Sequence, residues 1–259
     1  MSWFPQIGSG SIAQFPATRS RKWRDIVNQL ESGERILLPD IPAGQVEWKL
    51  SYQELTDTEC QNLSGLFNAC QGGFASFTFI DPLANLFGFS ESLSQPSWQT
   101  GLLQIAAGVS DPLATTRASA LTNPGAGAQT LQQTVGVSGD YTVCFSAYLR
   151  SDTPASITLQ RDGTPITVNV GPVWTRAFLS GTGTSGAVQS TFSVGIAAGQ
   201  TIDIWGLQVE AQPYPSAYKQ TVPALGIYEE TYFADEALTI TSTNVGFSSC
   251  ELTLMSRVS

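Results

Sequence analysis

Hydrophobic and polar residues alternate with period two along much of this chain, and helical spacing occurs in one clear place. In QVEWKLSYQEL (45–55), Val46, Trp48, Leu50 and Tyr52 share one face while Glu47, Lys49 and Ser51 share the other, the pattern of a half-buried strand. Thr56 then opens TDTE, with Glu59 three residues on. This is a capping box, which satisfies two otherwise unpaired amides at a helix start. Cys60, Leu63, Leu66, Phe67 and Cys70 continue at helical spacing, and Gly72-Gly73 closes the helix because glycine takes the left-handed conformation at low cost. FASFTFIDP (74–82) reads as a second strand, apolar on both faces at Phe74, Phe77, Phe79 and Ile80 and therefore central, stopped by Pro82. EALTITS (236–242) and SCELTLMSRV (249–258) alternate as late strands, which must pair with the early ones for a core to close. This outer set predicts a small β-sandwich or barrel with one α-helix laid across it.

Between residues 98 and 220 the strand signals are denser. YTVCFSAYLR (141–150) sets Tyr141, Val143, Phe145, Ala147 and Leu149 against Thr142, Ser146, Tyr148 and Arg150. SITLQ (156–160) and ITVNV (166–170) flank Asp162-Gly163, a hairpin signal with a loop longer than two residues. WTRAFLSG (174–181), STFSVGI (190–196), TIDIWGLQVE (201–210) and three segments within 102–135 bring the total to eight or nine short strands, the pattern of a jelly-roll β-sandwich. The predicted fold class is thus mainly β. Charge marks the same division. Residues 1–97 hold ten acidic residues and a basic run at Arg19, Arg21, Lys22 and Arg24; residues 98–220 hold six acidic and five basic in an Ala-, Gly-, Thr- and Ser-rich texture; charge returns after Pro223. A texture that reverses near the C-terminus predicts a discontinuous outer domain, 1–97 with 221–259, and a jelly-roll of 98–220 inserted into it.

Composition narrows the chemistry. The net charge of −9 argues against a nucleic-acid binder that depends on phosphate contacts. The chain has no histidine, which removes imidazole bases, Ser-His-Asp and Cys-His catalysis and every His-containing metal site. The four cysteines are too scattered for a disulfide scaffold or a CxxC metal site. No stretch approaches the ~20 apolar residues of a membrane helix, and MSWFPQIGSG has neither the basic nor the apolar region of a signal peptide, so synthesis in the cytoplasm without membrane insertion is expected. The chain carries 21 acidic residues, but no short motif frames a glycosidase pair, and no glycine-rich phosphate loop is present. No enzyme and no cofactor are predicted; Asp111, Asp140 and Glu210 offer oxygen ligands for a structural calcium but are scattered.

GGFASFTFIDPLANLF (72–87), with RSRKWRDIVNQLESGERILLPD (19–40) and the capped helix before it, resembles the tail-tip proteins of tailed bacteriophages and phage-like particles. The resemblance covers roughly residues 1–90 and 226–259. It implies the β-sandwich of a distal tail (baseplate hub ring) protein: a homo-oligomeric ring in the virion tail, joining the tail tube to the hub proteins of the tip. DPLATTRASALT (111–122), GDYTVCFSAYLRS (139–151), WTRAFLSGT (174–182) and above all IDIWGLQVEAQPYPSAYKQT (202–221) are similar to the carbohydrate-binding jelly-roll modules found within phage tail proteins. The last carries W-G-x-Q-x-E followed by S-x-Y. This likeness implies contact with host surface glycan.

Candidate residues follow from these two expectations. Arg19, Arg21, Lys22 and Arg24 read either as a subunit contact meeting Glu229, Glu230, Asp235 and Glu236 of a neighbour or as a solvated hairpin face. Trp3 and Phe4 read either as an arm docking on a neighbour or as packing on their own domain. For glycan, the candidates are Tyr148, Arg150, Trp174, Arg176, Trp205 and Gln208, since a pyranose stacks its C–H face on an aromatic ring while planar polar groups bond its hydroxyls. A jelly-roll core also demands aromatics, so each Trp has a core reading beside the sugar reading. Tyr148 and Arg150, on the polar face of their strand, are better placed for the surface than Trp205. A receptor-binding lectin, and behind it a glycan hydrolase, are the competing functions.

Overall fold

The structure, a computed structural model, describes residues 2–223 and 226–257, and for 39–43 the backbone alone. Strand makes up 49% of the chain and helix 5%, so the protein is mainly β, with sandwich-like sheets of jelly-roll type. In chain order the elements are β1 (Thr18–Gln29), β2 (Arg35–Thr56), α1 (Asp57–Ala69), β3 (Phe77–Ile80), β4 (Gln104–Val109), β5 (Ala118–Thr122), β6 (Gln129–Val135), β7 (Val143–Arg150) and β8 (Ala155–Arg161). They continue as β9 (Thr164–Val170), β10 (Thr175–Gly181), β11 (Ser190–Ile196), β12 (Thr201–Glu210), β13 (Ile227–Phe233), β14 (Ile240–Asn244) and β15 (Phe247–Arg257). Among the described residues no helix is long and apolar enough to cross a membrane. The chain forms two compact units, one from the residues up to Leu83 together with those from Tyr228 on, the other Ala84–Ile227.

In the first unit the sheet order is β1-β2-β15-β13-β3, with β14 also on β15. The late strand β15 pairs antiparallel with β2, from Phe247 opposite Thr56 to Arg257 opposite Gln45, so the two ends of the chain share one hydrogen-bonded sheet. Val258, the last residue of the expected late strand, lies outside the described residues. The alternation in 45–55 is realised: Val46, Trp48, Leu50 and Tyr52 are buried, with Trp48 against Phe79 at 4.9 Å and Tyr228 at 4.7 Å, and the Tyr52 hydroxyl donating to the Ile12 carbonyl at 2.6 Å. At α1 the capping box forms, the Thr56 amide donating to Glu59 Oε2 at 2.7 Å and the Glu59 amide to Thr56 Oγ1 at 3.4 Å. Leu63 and Leu66 turn inward, and Gln71 and Gly72 end the helix with positive φ.

One expectation fails in an instructive way. The strand read at 74–82 is confined to Phe77–Ile80, lies at the end of the sheet, and leaves Phe74 81% exposed. Its four residues are buried on both faces because the N-terminal segment covers it. Trp3 bridges Thr78, the Phe4 amide donates to the Thr78 carbonyl at 2.9 Å, and the Phe4 ring meets Phe77 at 5.8 Å and Phe79 at 5.4 Å. Phe4 thus packs on its own unit. Double burial came from a covering segment, which a single strand's pattern does not reveal.

β1 and the first part of β2 form a ribbon beyond the sheet. From Arg24 opposite Asp40 to Gln29 opposite Arg35, β2 has left β15, whose pairing stops at Gln45. Six residue pairs at ~3.3 Å each give a reach of roughly 20 Å. Every residue of β1 is exposed. At the root, the Trp23 ring lies against Gly44, where an added Cβ would stand 2.8 Å from it.

The second unit packs a five-stranded sheet, β10-β7-β12-β5-β4, with a four-stranded one, β6-β11-β8-β9. Phe87, Phe145 and Phe192 form a triangle with centroid distances of 5.6, 5.9 and 5.7 Å, and all three are buried. The unit begins at Ala84 and ends at Ile227, against expected bounds of 98 and 220. The added residues are bound within it: the Leu86 amide donates to the Val209 carbonyl, the Gly88 amide to Gln133 Oε1, and Phe87 packs on Trp98 at 4.9 Å. The Asp162-Gly163 turn also departs from expectation. Arg161 pairs with Thr164, so the loop is two residues, both at positive φ, the geometry of a tight hairpin turn; the strands simply run further than their apolar residues do.

Candidate functional site

In β7 the alternation sends Val143, Phe145, Ala147 and Leu149 into the core and Cys144, Ser146, Tyr148 and Arg150 to the opposite face of the sheet. On β12, Trp205 stands opposite Tyr148 and Gln208 opposite Ser146, three residues apart on one strand but two on its partner. A bulge makes this possible. Gly206 takes φ +65 there, and a Cβ on it would fall 2.9 Å from the Tyr148 ring. The bulge gathers an aromatic and polar cluster: Trp205 lies 5.2 Å from Tyr148 and 4.6 Å from Tyr218, and the Arg176 guanidinium lies over Tyr148 at 5.2 Å.

The chain itself covers this cluster. Arg176 Nη1 donates to the Ser216 carbonyl at 2.6 Å and Nη2 to Ser146 Oγ at 3.1 Å. The Lys219 amide donates to Gln208 Oε1 at 2.7 Å, the Ser216 amide to Glu210 Oε2 at 2.9 Å, and Lys219 Nζ to Glu210 Oε1 at 2.6 Å. Ser90 Oγ and the Tyr218 hydroxyl are hydrogen-bonded at 2.8 Å, and the Thr221 amide donates to Ser90 Oγ at 2.9 Å. The W-G-x-Q-x-E and S-x-Y motifs are therefore two halves of one clasp. Two of the six glycan candidates are corrected by this: Trp205 is 5% exposed and Gln208 is fully buried, so neither reaches a surface ligand. Tyr148 and Arg176 are half-buried beside them. Arg150 and Trp174 stand apart, the guanidinium 4.9 Å over the indole and bound to Asp203 Oδ2 through Nε at 2.9 Å and Nη2 at 2.5 Å. Phe178 and Tyr214, 43% and 70% exposed, form a ring pair at 6.4 Å, and neither is among the six glycan candidates.

Asp111, Asp140 and Glu210 do not converge, and among the described residues no group of three metal-ligating side chains occurs. Asp111 serves its own loop. Burial pushes its carboxyl up, but the Thr115 hydroxyl and the amides of Arg117, Leu113 and Thr115 outweigh that and hold it below the usual carboxylate range. Asp140 receives Ser185 Oγ at 2.7 Å, and Glu210 belongs to the clasp.

The thiols give a direct check on this burial. Burial, then the Glu210 carboxylate, pushes Cys144 up to about 12; burial, then Cys60, pushes Cys250 up to about 11; burial alone raises Cys70. All four are free and only Cys60 is partly exposed. At pH 8 an alkylating reagent is expected to modify native protein at Cys60 and all four sites after denaturation, as read by mass spectrometry; rapid native labelling of Cys144 would contradict the structure. The sign for stability follows. Raised folded-state values mean the contribution of Cys144 and Cys250 is present below about pH 9 and is lost as pH rises towards their folded values.

In the first unit the basic run is divided. Arg19 pairs with the buried Asp81 at 2.5 Å, Lys22 pairs with Glu47, and Arg21 bonds the Tyr228 hydroxyl. Asp81 is the acid of the F-T-F-x-D-P ending, so part of this run holds its own unit together. Trp3 is half-buried at the β3 edge. Sequence reasoning missed the apolar half of the same ribbon. Ile26, Leu38 and Ile36 (47%, 48% and 41% exposed) share one face by register, and Val27 and Leu37 (54% and 63%) the other. The signal was present in RDIVNQL and RILLPD, as apolar residues without a polar partner face.

No protein-family model matches the chain, and no curated protein does. Among solved structures, the enzymatically active domain of bacteriophage CBA120 tailspike protein 4 is similar at 16% identity over 51% of this chain, with a TM-score of 0.39; the chain spans 21% of it. A family 22 carbohydrate-binding module of Clostridium thermocellum Xyn10B gives 14% identity over 50% of this chain and 96% of the module, with a TM-score of 0.41. The CBM22-1 xylan-binding domain of Paenibacillus barcinonensis Xyn10C gives 14%, 50%, 96% and 0.39. At these scores and identities the likenesses assign neither activity nor ligand to this chain.

Proposed function

We propose that the chain is a structural subunit of the tail tip of a phage or phage-like particle, assembling as a homo-oligomeric ring with tail tube and hub proteins, while its second unit meets host surface glycan. The observation that supports assembly is the ribbon of β1 and β2, which carries apolar side chains to solvent on both faces. A two-stranded ribbon is marginal alone in water, and contiguous exposed apolar side chains mark interaction sites. Coverage of both faces fits a ribbon gripped between neighbours in a closed ring, where one surface repeats around the symmetry axis. The basic residues Arg21 and Arg24 on β1 supply charge for register against acidic surfaces such as Glu229 and Glu230. For glycan, what supports the reading is the half-buried Trp174 with Arg150, and the exposed Phe178–Tyr214 pair, rings with planar donors nearby.

Electron microscopy and light scattering of the purified full chain test the assembly. Closed rings of one copy number are expected, alone or on adding tail tube protein. A strictly monomeric chain under both conditions would overturn the reading.

A further inference from the structure

We infer that β10, the end strand of the five-stranded sheet, is a self-association surface: it pairs antiparallel with β10 of a second copy of this chain, about a two-fold axis at Phe178. This contact is separate from the proposed ring and from glycan, and needs neither. An edge strand offers a row of unpaired amides and carbonyls to any other strand, and proteins guard such edges with charges, proline, bulges or a covering segment. Among the described residues, every other strand that ends a sheet carries such a guard. Arg21, Lys22, Arg24 and Asp25 stand on β1, and the N-terminal segment covers β3 through Trp3 and Phe4. β14 has five residues with a register shift between Ser242 and Asn244, and β4 shifts at Gly108. Gln99 exchanges both backbone hydrogen bonds with Gln132 of β6, and Pro165 removes an amide from β9.

β10 has none of these. It pairs with β7 without a break, from Thr175 opposite Leu149 to Gly181 opposite Val143, and among the described residues no other backbone group bonds to it. It holds no proline, and its single charge is turned along the sheet, since Arg176 donates to Ser216 and Ser146 and lies over Tyr148. The strand also fits itself. In the antiparallel register that uses all seven residues, Phe178 stands opposite Phe178 of the second copy, Ala177 opposite Leu179, and Arg176 opposite Ser180. No like charges meet, and a like-charged pair directly opposite is what would destabilise such a join. Arg176, Phe178 and Ser180 share the outer face by period two, where Phe178 and Tyr214 are exposed side by side, so the join covers two rings from each copy. Those rings supply about 200 Å² per copy, a quarter of the ~800 Å² that each partner buries in a stable complex, so backbone pairing carries most of the contact and free chains associate weakly. The contact is isologous and does not repeat around a single cyclic ring; within an assembly it links copies from different rings.

The test uses the full chain carrying Val27→Asp and Leu37→Asp, so that the ribbon does not contribute, in sedimentation velocity up to about 1 mM. A reversible dimer is expected, with the β10 amides gaining protection from hydrogen exchange as concentration rises. Phe178→Asp sets two carboxylates opposite each other, and Ser180→Lys sets an ammonium opposite Arg176. Each is expected to weaken the dimer about tenfold or more. Ser180→Glu faces the same arginine with the opposite charge and should leave the dimer as tight or tighter. Ser180 is exposed, so neither change there disturbs the core, which near-UV circular dichroism would confirm. Equal weakening by Ser180→Glu and Ser180→Lys would overturn the register and the proposal with it. A monomer at every concentration, or a dimer indifferent to all three changes, would overturn it outright. A monomer whose β10 amides become protected only on adding tail tube protein would give the edge to that partner and overturn the second copy.

Discussion

Replacing Val27 and Leu37 together by Asp is expected to dissociate the proposed ring while leaving the protomer folded. The two residues stand directly opposite each other on one face of the ribbon and are 54% and 63% exposed, so the isolated protomer loses little when they change. In an assembly the same two side chains would be covered. Burying each contributes about 2 kcal/mol, so their loss removes roughly 4 kcal/mol per contact, or about three orders of magnitude in affinity, before the cost of burying two carboxylates is added. Sedimentation velocity across a concentration series would read the dissociation, and near-UV circular dichroism would confirm an intact core. Ile26→Asp with Leu38→Asp, on the opposite face, should act likewise if both faces are gripped. Unchanged assembly in both double variants would remove the ribbon from any subunit contact.

Where the sequence was readable, one element stated its own environment. β2 from Val46 to Tyr52 has one wet and one dry face, and Thr56 with Glu59 caps a helix using only groups within three residues of each other. Strands of the second unit such as β8, where burial alternates from Ala155 to Arg161, are legible for the same reason. Two other features depend on residues distant in sequence. The edge strand Phe77–Ile80 looks central because Phe4, more than seventy positions earlier, lies on it. Trp205 and Gln208 look like surface candidates because W-G-x-Q-x-E does not announce that Gly206 bulges, or that Ser216 and Lys219 return to bind Gln208 and Glu210. The apolar ribbon escaped for a further reason: hydrophobicity predicts burial, whereas Ile26, Val27, Leu37 and Leu38 are all exposed in the protomer.

Arg161→Met should be the most damaging single change to the second unit, although it touches none of the candidate contact residues. Arg161 ends β8 with only 4% of its surface exposed, and its guanidinium binds three separate backbone carbonyls: Tyr141 at 2.8 Å, Gly181 at 2.6 Å and Ser138 at 3.0 Å. It also donates to Ser190 Oγ at 3.0 Å, lies 3.6 Å from Asp162, and rests over the Phe192 ring at 5.6 Å. One planar fork thus ties the ends of β7, β10 and β11 to β8. Packing around it is tight enough that Gly183 has no room for a side chain, since a Cβ there would stand 2.2 Å from Asp162 Oδ2 and 2.7 Å from Arg161 Nε. Methionine replaces the stem but leaves the carbonyls without donors and Asp162 without its counter-charge, a loss of about 3–5 kcal/mol. For a unit of this size that lowers Tm by roughly 10 °C. Lysine keeps the charge but has no planar fork, so Arg161→Lys should fall between the two. Because the chain has two units, calorimetry should show one transition shifting while the other stays in place. A shift shared equally by both would mean that the units unfold as one, and no shift at all would mean that the guanidinium contributes nothing to holding these strand ends together.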